Sequence, residues 1–205
     1  MRNFLTNRHK NYWANRKIDW KQAYWADHPH RDLIIKALRG LKFGSVIEIG
    51  CGAGYNLHKI KQAFPQVEIG GIDISEDAIE TAKKLLPEST AVLETSSVTE
   101  MFLSDLSCDV ILSDAVLIYF DPFTIGKVLK EIKRVGRKAV ILVELHSDNW
   151  WERLAVRFIS GYNLYNWPKL LTKHGFRDVE IYKIPENVWP GIPWAKWGHI
   201  IAAKI

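Results

Sequence analysis

Gly50, Gly52 and Gly54 stand between an apolar run, Val46-Ile47-Glu48-Ile49, and a stretch with helical spacing marked by Leu57, Ile60 and Phe64. A loop of alternate glycines turns tightly and lets a ligand reach the backbone. The helix start beyond it offers N–H groups that have no intrahelical partner. Asp73 ends the next apolar run, where an acid can accept hydrogen bonds from ribose hydroxyls. Together these residues suit a nucleotide-like cofactor. The dinucleotide fingerprint G-x-G-x-x-G needs a third glycine at position 55, which is Tyr55. A second candidate set lies at Glu144-Leu145-His146, where strand alternation puts Glu144 and His146 on the same side. His146 can then take a proton from an acceptor, with Glu144 orienting it; alternatively His146 caps the next helix and Glu144 pairs with a base. Tyr119 can offer its hydroxyl, or its ring face to a cation, or can belong to the core.

The elements that position these residues alternate, as an α/β layer fold requires. Leu33, Ile34, Ala37, Leu38 and Leu41 predict a helix ended by Gly44-Ser45. Strands are predicted at residues 46–49, 67–74, 91–93, 109–112 and 139–145. Ser75 is a good N-cap, followed by Glu76 and Asp77 where the helix dipole favours acids. Asp121-Pro122 supplies another helix start, and Asn166-Trp167-Pro168 a third, closed near Gly175. Two strands, 179–184 and 199–205, finish the chain with no helix predicted between them, which implies an antiparallel closing pair. The fold expected is an α/β, doubly wound, Rossmann-like sheet of seven mostly parallel strands. A helical, aromatic arm (residues 1–28) precedes the domain (29–205).

The 205 residues carry a net charge of +5, unevenly placed. Residues 1–40 hold nine Lys/Arg and three Asp, interleaved with Tyr12, Trp13, Trp20, Tyr24 and Trp25. Such an arm can hold nucleic acid, an anionic metabolite or a cofactor carboxylate, or it can bury its rings on the core. Cys51 and Cys108 have no metal-type spacing, so neither a disulfide framework nor a metal site is expected. The first residues lack the apolar core of a signal peptide, and no run approaches the ~20 apolar residues of a membrane span. A cytoplasmic protein with no membrane partner is the expectation.

Glu48-Ile-Gly-Cys-Gly-Ala-Gly54 resembles the first motif, E/D-x-G-x-G-x-G, of class I S-adenosylmethionine-dependent methyltransferases. The resemblance covers about residues 30–205, including the closing strand pair. It implies S-adenosylmethionine as cofactor, with Gly50, Cys51, Gly52 and Gly54 along its methionyl and ribose parts. It further implies Glu48 at the amino group, Asp73 at the ribose, Ile74 among the cofactor-binding residues, and Asp114 beside the departing methyl. Ser96 falls where the family usually has an acid against the adenine, which is a departure. Tyr119, Glu144 and His146 are the candidate catalytic residues, although methyl transfer can proceed by positioning alone.

The expected acceptor is a small molecule, and the expected assembly a monomer or homodimer. RNA is kept as an alternative because of the basic arm, although the Asn/Asp-Pro-Pro-aromatic motif is missing at Ser113-Asp114-Ala115-Val116. A non-catalytic cofactor-binding subunit is a further alternative. Tyr165-x-x-x-Lys169 spells a dehydrogenase pair, but Pro168 starts a helix that leaves Tyr165 outside. The tryptophan-rich stretches 147–165 and 189–197 are expected to wall a substrate pocket, to close a lid, or to form a small core. Arg31 can hold a carboxylate, while His28 and His30 are left unassigned.

Overall fold

The computed structural model describes residues 4–24, 26–88, 90 and 92–205. The readings made above on Trp25 and Ala91 lie outside them. The helices are α1 (Phe4–Ala14), α2 (Trp20–Tyr24), α3 (His30–Arg39), α4 (Tyr55–Ala63), α5 (Glu76–Leu85), α6 (Ile125–Val135), α7 (Trp150–Ser160), α8 (Trp167–Lys173) and α9 (Trp194–Trp197). The strands are β1 (Ser45–Ile49), β2 (Glu68–Asp73), β3 (Val92–Thr95), β4 (Cys108–Asp114), β5 (Gly136–Leu145), β6 (Arg177–Lys183) and β7 (Gly198–Lys204). They form one sheet in the order β3-β2-β1-β4-β5-β7-β6. The first five strands run parallel, and β7 is antiparallel to both β5 and β6. This is the doubly wound sheet expected, and its order reverses between β1 and β4, where such folds bind ligands.

Alternation along the central strands builds the two cores. Ile47, Ile111, Val140 and Leu142 pack with Val128, Leu129 and Ile132 of α6 and Trp167 and Leu171 of α8. Val46, Val110, Leu112, Ile141 and Val143 face the other way, onto Ile34 and Leu38 of α3, Leu57 and Ile60 of α4, and Ile79 of α5. The central strands are apolar on both faces because both faces are covered.

Local signals set most of the boundaries. The Ser75 hydroxyl accepts from the Ala78 N–H and caps α5, and the Asn166 side chain accepts from the Lys169 N–H and caps α8. Two expectations need correction. Asp121 does cap a turn, accepting from the N–H groups of Phe123 and Thr124, but α6 proper starts only at Ile125. The closing strands are not joined without a helix, because α9 makes one turn between them after Pro193, with Trp194 stacked on Trp189 at 4.0 Å.

Candidate functional site

The carboxyl ends of β1, β2 and β4 meet at one cavity of about 410 Å³. The glycine loop forms its floor. The N–H groups of Gly50 and Cys51 donate to the Ile72 carbonyl, and that of Gly52 to Asp73 Oδ2 at 2.9 Å. Gly50 has φ +72°, and a Cβ there would stand 2.3 Å from Val116 Cγ2, so only glycine fits beneath the β4 turn. Ala115, on that turn, is also in the left-handed region at φ 59° and lines the cavity. Strained backbone of this kind clusters at functional sites.

The arm makes the roof. Trp20 is buried, with its ring over Gly52, and it stacks with Tyr24 at 5.3 Å. Trp13, Trp20, Tyr24 and Tyr119 all line the cavity. Trp20 therefore buries, as its area favours, against the cofactor loop, with Trp13 half-buried beside it, whereas Tyr12 and Tyr24 stay exposed.

Beside the floor lies a buried polar chain. The Asn56 amide, in the first turn of α4, donates to Glu48 Oε1 at 2.6 Å and to Asp114 Oδ2 at 2.9 Å. Its carbonyl accepts from Arg31 Nε at 2.8 Å. His30 Nε2 reaches Asp114 Oδ2 at 2.8 Å, and the Nδ1 atoms of His28 and His30 share a proton at 2.6 Å. Trp189 covers both imidazoles. Burial pushes the Glu48 carboxyl well up, only partly offset by Asn56. Burial acts on Asp114 too, but His30, Asn56 and Arg31 outweigh it and hold that carboxyl low. One oxygen of each acid, Glu48 Oε2 and Asp114 Oδ1, is buried without a partner, as is the Trp20 indole N–H.

Of the residues expected in the cofactor set, Glu48, Gly50, Cys51, Gly52, Asp73, Ile74, Ser96 and Asp114 all line the cavity, and so does Tyr119. Gly54 is not among the lining residues; it faces Leu86, just beyond α5, and precedes α4 at φ 84°. Asp73 spans the N–H groups of Gly52 and Ser75, which leaves lone pairs for further donors. The structure does not bring Glu144 and His146 to the cavity. Glu144 is fully buried and accepts from the Ser113 hydroxyl and from the N–H groups of Val116, Leu117 and Ile118. It fastens the turn after β4 rather than orienting a base. His146 Nδ1 accepts from the Trp167 N–H, and its ring lies against His199 at 4.9 Å. Tyr165 is buried and donates to the Phe120 carbonyl, outside α8, so the dehydrogenase-like pair does not assemble.

Asn56 and His30 are the residues that the spacing argument missed. A buried asparagine on the same turn as Leu57 was the one sequence signal available for Asn56. The other addition is the mouth of the cavity, lined by Lys10, Phe120, Thr124 and Lys127.

Residues 42–189 match the family model described as a methyltransferase domain. The chain belongs to that family. Its cofactor is S-adenosylmethionine. A curated relative, the malonyl-[acyl-carrier protein] O-methyltransferase of Priestia megaterium, is 33% identical over 94 residues, 45% of this chain and 34% of that protein. The ribosomal RNA small subunit methyltransferase C of Haemophilus influenzae is 25% identical over 150 residues, 73% of this chain and 42% of that one. The chain thus matches well under half the length of these relatives. Among solved structures, the magnesium protoporphyrin IX methyltransferase of Synechocystis PCC 6803, with bound SAH, has a TM-score of 0.68 at 16% identity. That match covers 97% of this chain and 98% of that one.

The cavity fits the cofactor. Two buried carboxylate oxygens without donors suit an ammonium group, since an unmet buried acceptor is costly unless a ligand meets it. Gly52, left-handed at φ +53° and lining the cavity, would have its Cβ no nearer than 3.9 Å to the Trp20 ring, so its backbone is open to a ligand.

Proposed function

We propose that the chain methylates a carboxylate oxygen of a small anionic acceptor, with residues 1–28 acting as a lid over the domain formed by 29–205. When bound, S-adenosylmethionine supplies an electrophilic methyl group. Glu48 and Asp114 hold its ammonium end, Asp73 takes the ribose hydroxyls, and Ile74 and Ser96 lie against the base. Trp13, Trp20 and Tyr24 keep water from the site.

The single observation that carries the acceptor class is that two exposed lysines, Lys10 and Lys127, line the cavity along with Thr124 and the rings of Tyr119 and Phe120. Two cations at the rim favour an anion. A carboxylate arrives already deprotonated at neutral pH, so these residues need only hold and orient it. His146 then has no proton to take, consistent with its place away from the cavity. The Priestia megaterium relative, named as an O-methyltransferase, agrees with an oxygen acceptor.

The test is incubation with methyl-labelled S-adenosylmethionine and a panel of carboxylic acids, amines and phenols. Label transferred to acids and released as methanol by alkali is expected. Label on amines or phenols only, stable to alkali, would overturn the carboxylate assignment.

A further inference from the structure

The helix α7 is built inside out. Its inward residues include Glu152, bonded to the Ser147 hydroxyl and the Trp197 indole, and Arg153, bonded to the carbonyls of Ser147 and Asp148. Only Val156 of the helix is buried. Its outward face carries Trp150, Trp151, Leu154, Phe158 and Ile159, the last two more than 80% exposed. A surface helix ordinarily shows the reverse arrangement. At the areas typical of such side chains, the five groups present roughly 600 Å² of apolar surface, the upper end of what a monomer leaves in water.

We infer that this face docks on an anionic lipid surface, with the tryptophan pair and Phe158-Ile159 entering the headgroup boundary. Charge complementarity decides the occupant. The C-terminal end of α7 lies against α1, since a Cβ on Gly161 would stand 3.4 Å from His9 Nε2, and Tyr162 and His9 both pack on Tyr119. The apolar face therefore borders the basic arm, whose Lys10 is exposed and whose Arg16 is half-buried over the rings of Tyr12 and Trp13. Apolar insertion beside positive charge is how peripheral helices bind anionic bilayers. A second copy fits less well, because pairing these faces would bring two basic arms together. No helix among the described residues is long and apolar enough to cross a membrane.

The experiment is flotation of the full chain with vesicles of phosphatidylcholine alone, or with about one-third phosphatidylglycerol. It is run on the wild type and on the triple variant Trp151→Ser, Phe158→Ser, Ile159→Ser, with sedimentation equilibrium alongside. The expected result is wild-type binding to the anionic vesicles only, weakened at least tenfold in the variant and by high salt. These side chains are exposed and outside the cavity, so the variant keeps its thermal midpoint and its affinity for S-adenosylhomocysteine, which separates this inference from the proposed activity. Absence of wild-type binding, equal binding by the variant, or a wild-type dimer that the variant converts to monomer would each overturn it.

Discussion

Asn56 holds two buried acids together with one amide, so Asn56→Ala is a sharp perturbation. The variant loses the 2.6 Å bond to Glu48 and the 2.9 Å bond to Asp114, and leaves Arg31 Nε without its acceptor. A hydrogen bond to a charged group contributes about 1.5–3 kcal/mol. Two such losses at a site where Glu48 is 2% exposed amount to about 3–5 kcal/mol. Proton uptake by Glu48 limits the cost. Its carboxyl is already raised in the folded chain, so ionised Glu48 opposes folding increasingly as pH rises above its unfolded value of 4.5. The variant raises that carboxyl further, so its deficit is no smaller at high pH than at low and grows once pH passes the wild-type folded value of Glu48. Urea denaturation of the apoprotein at pH 5 and pH 8 measures this directly. A loss below 1 kcal/mol at pH 8, or a deficit larger at pH 5, would refute the account of the polar chain.

The displaced candidates make their own predictions. His146→Ala should leave the rate of methyl transfer within twofold, because its ring meets Trp167 and His199 rather than the cavity; a hundredfold loss of kcat would restore it as a base. Glu152 is held down to about 2 by the Ser147 hydroxyl, with Lys196 and Trp197 adding to it. Its contribution is thus present above its unfolded value of 4.5 and lost as pH falls through about 2. Glu152→Gln should cost about 1 kcal/mol at neutral pH, after discounting for its partial exposure, and nothing near pH 2. A gap independent of pH in denaturant titrations would contradict that assignment.

The sheet was legible because each apolar run between breakers is one strand, and because Gly50, Gly52 and Asp73 are fixed by local backbone needs. Gly50 must be glycine under Val116, and Asp73 must end β2 to meet the Gly52 N–H. Alternation gave Glu144 and His146 a side, but not what lies there. The chain after β4 folds the N–H groups of Val116, Leu117 and Ile118 onto Glu144, a contact between residues some 27 apart that no periodicity reports. His30 and Asp114 are 84 residues apart and meet only because α3 packs across the sheet. The inverted polarity of α7 was hidden for the same reason: its tryptophans look like core until the packing shows which face is covered.

The central claim is that the cavity over the glycine loop takes S-adenosylmethionine. Calorimetric titration of the full chain with S-adenosylhomocysteine and, separately, with NAD tests it most directly. The account predicts saturable one-to-one binding of S-adenosylhomocysteine, weakened at least tenfold in Asp73→Ala through loss of charged hydrogen bonds, and no heat with NAD. Binding of NAD with none of S-adenosylhomocysteine, or an affinity unchanged in Asp73→Ala, would contradict it.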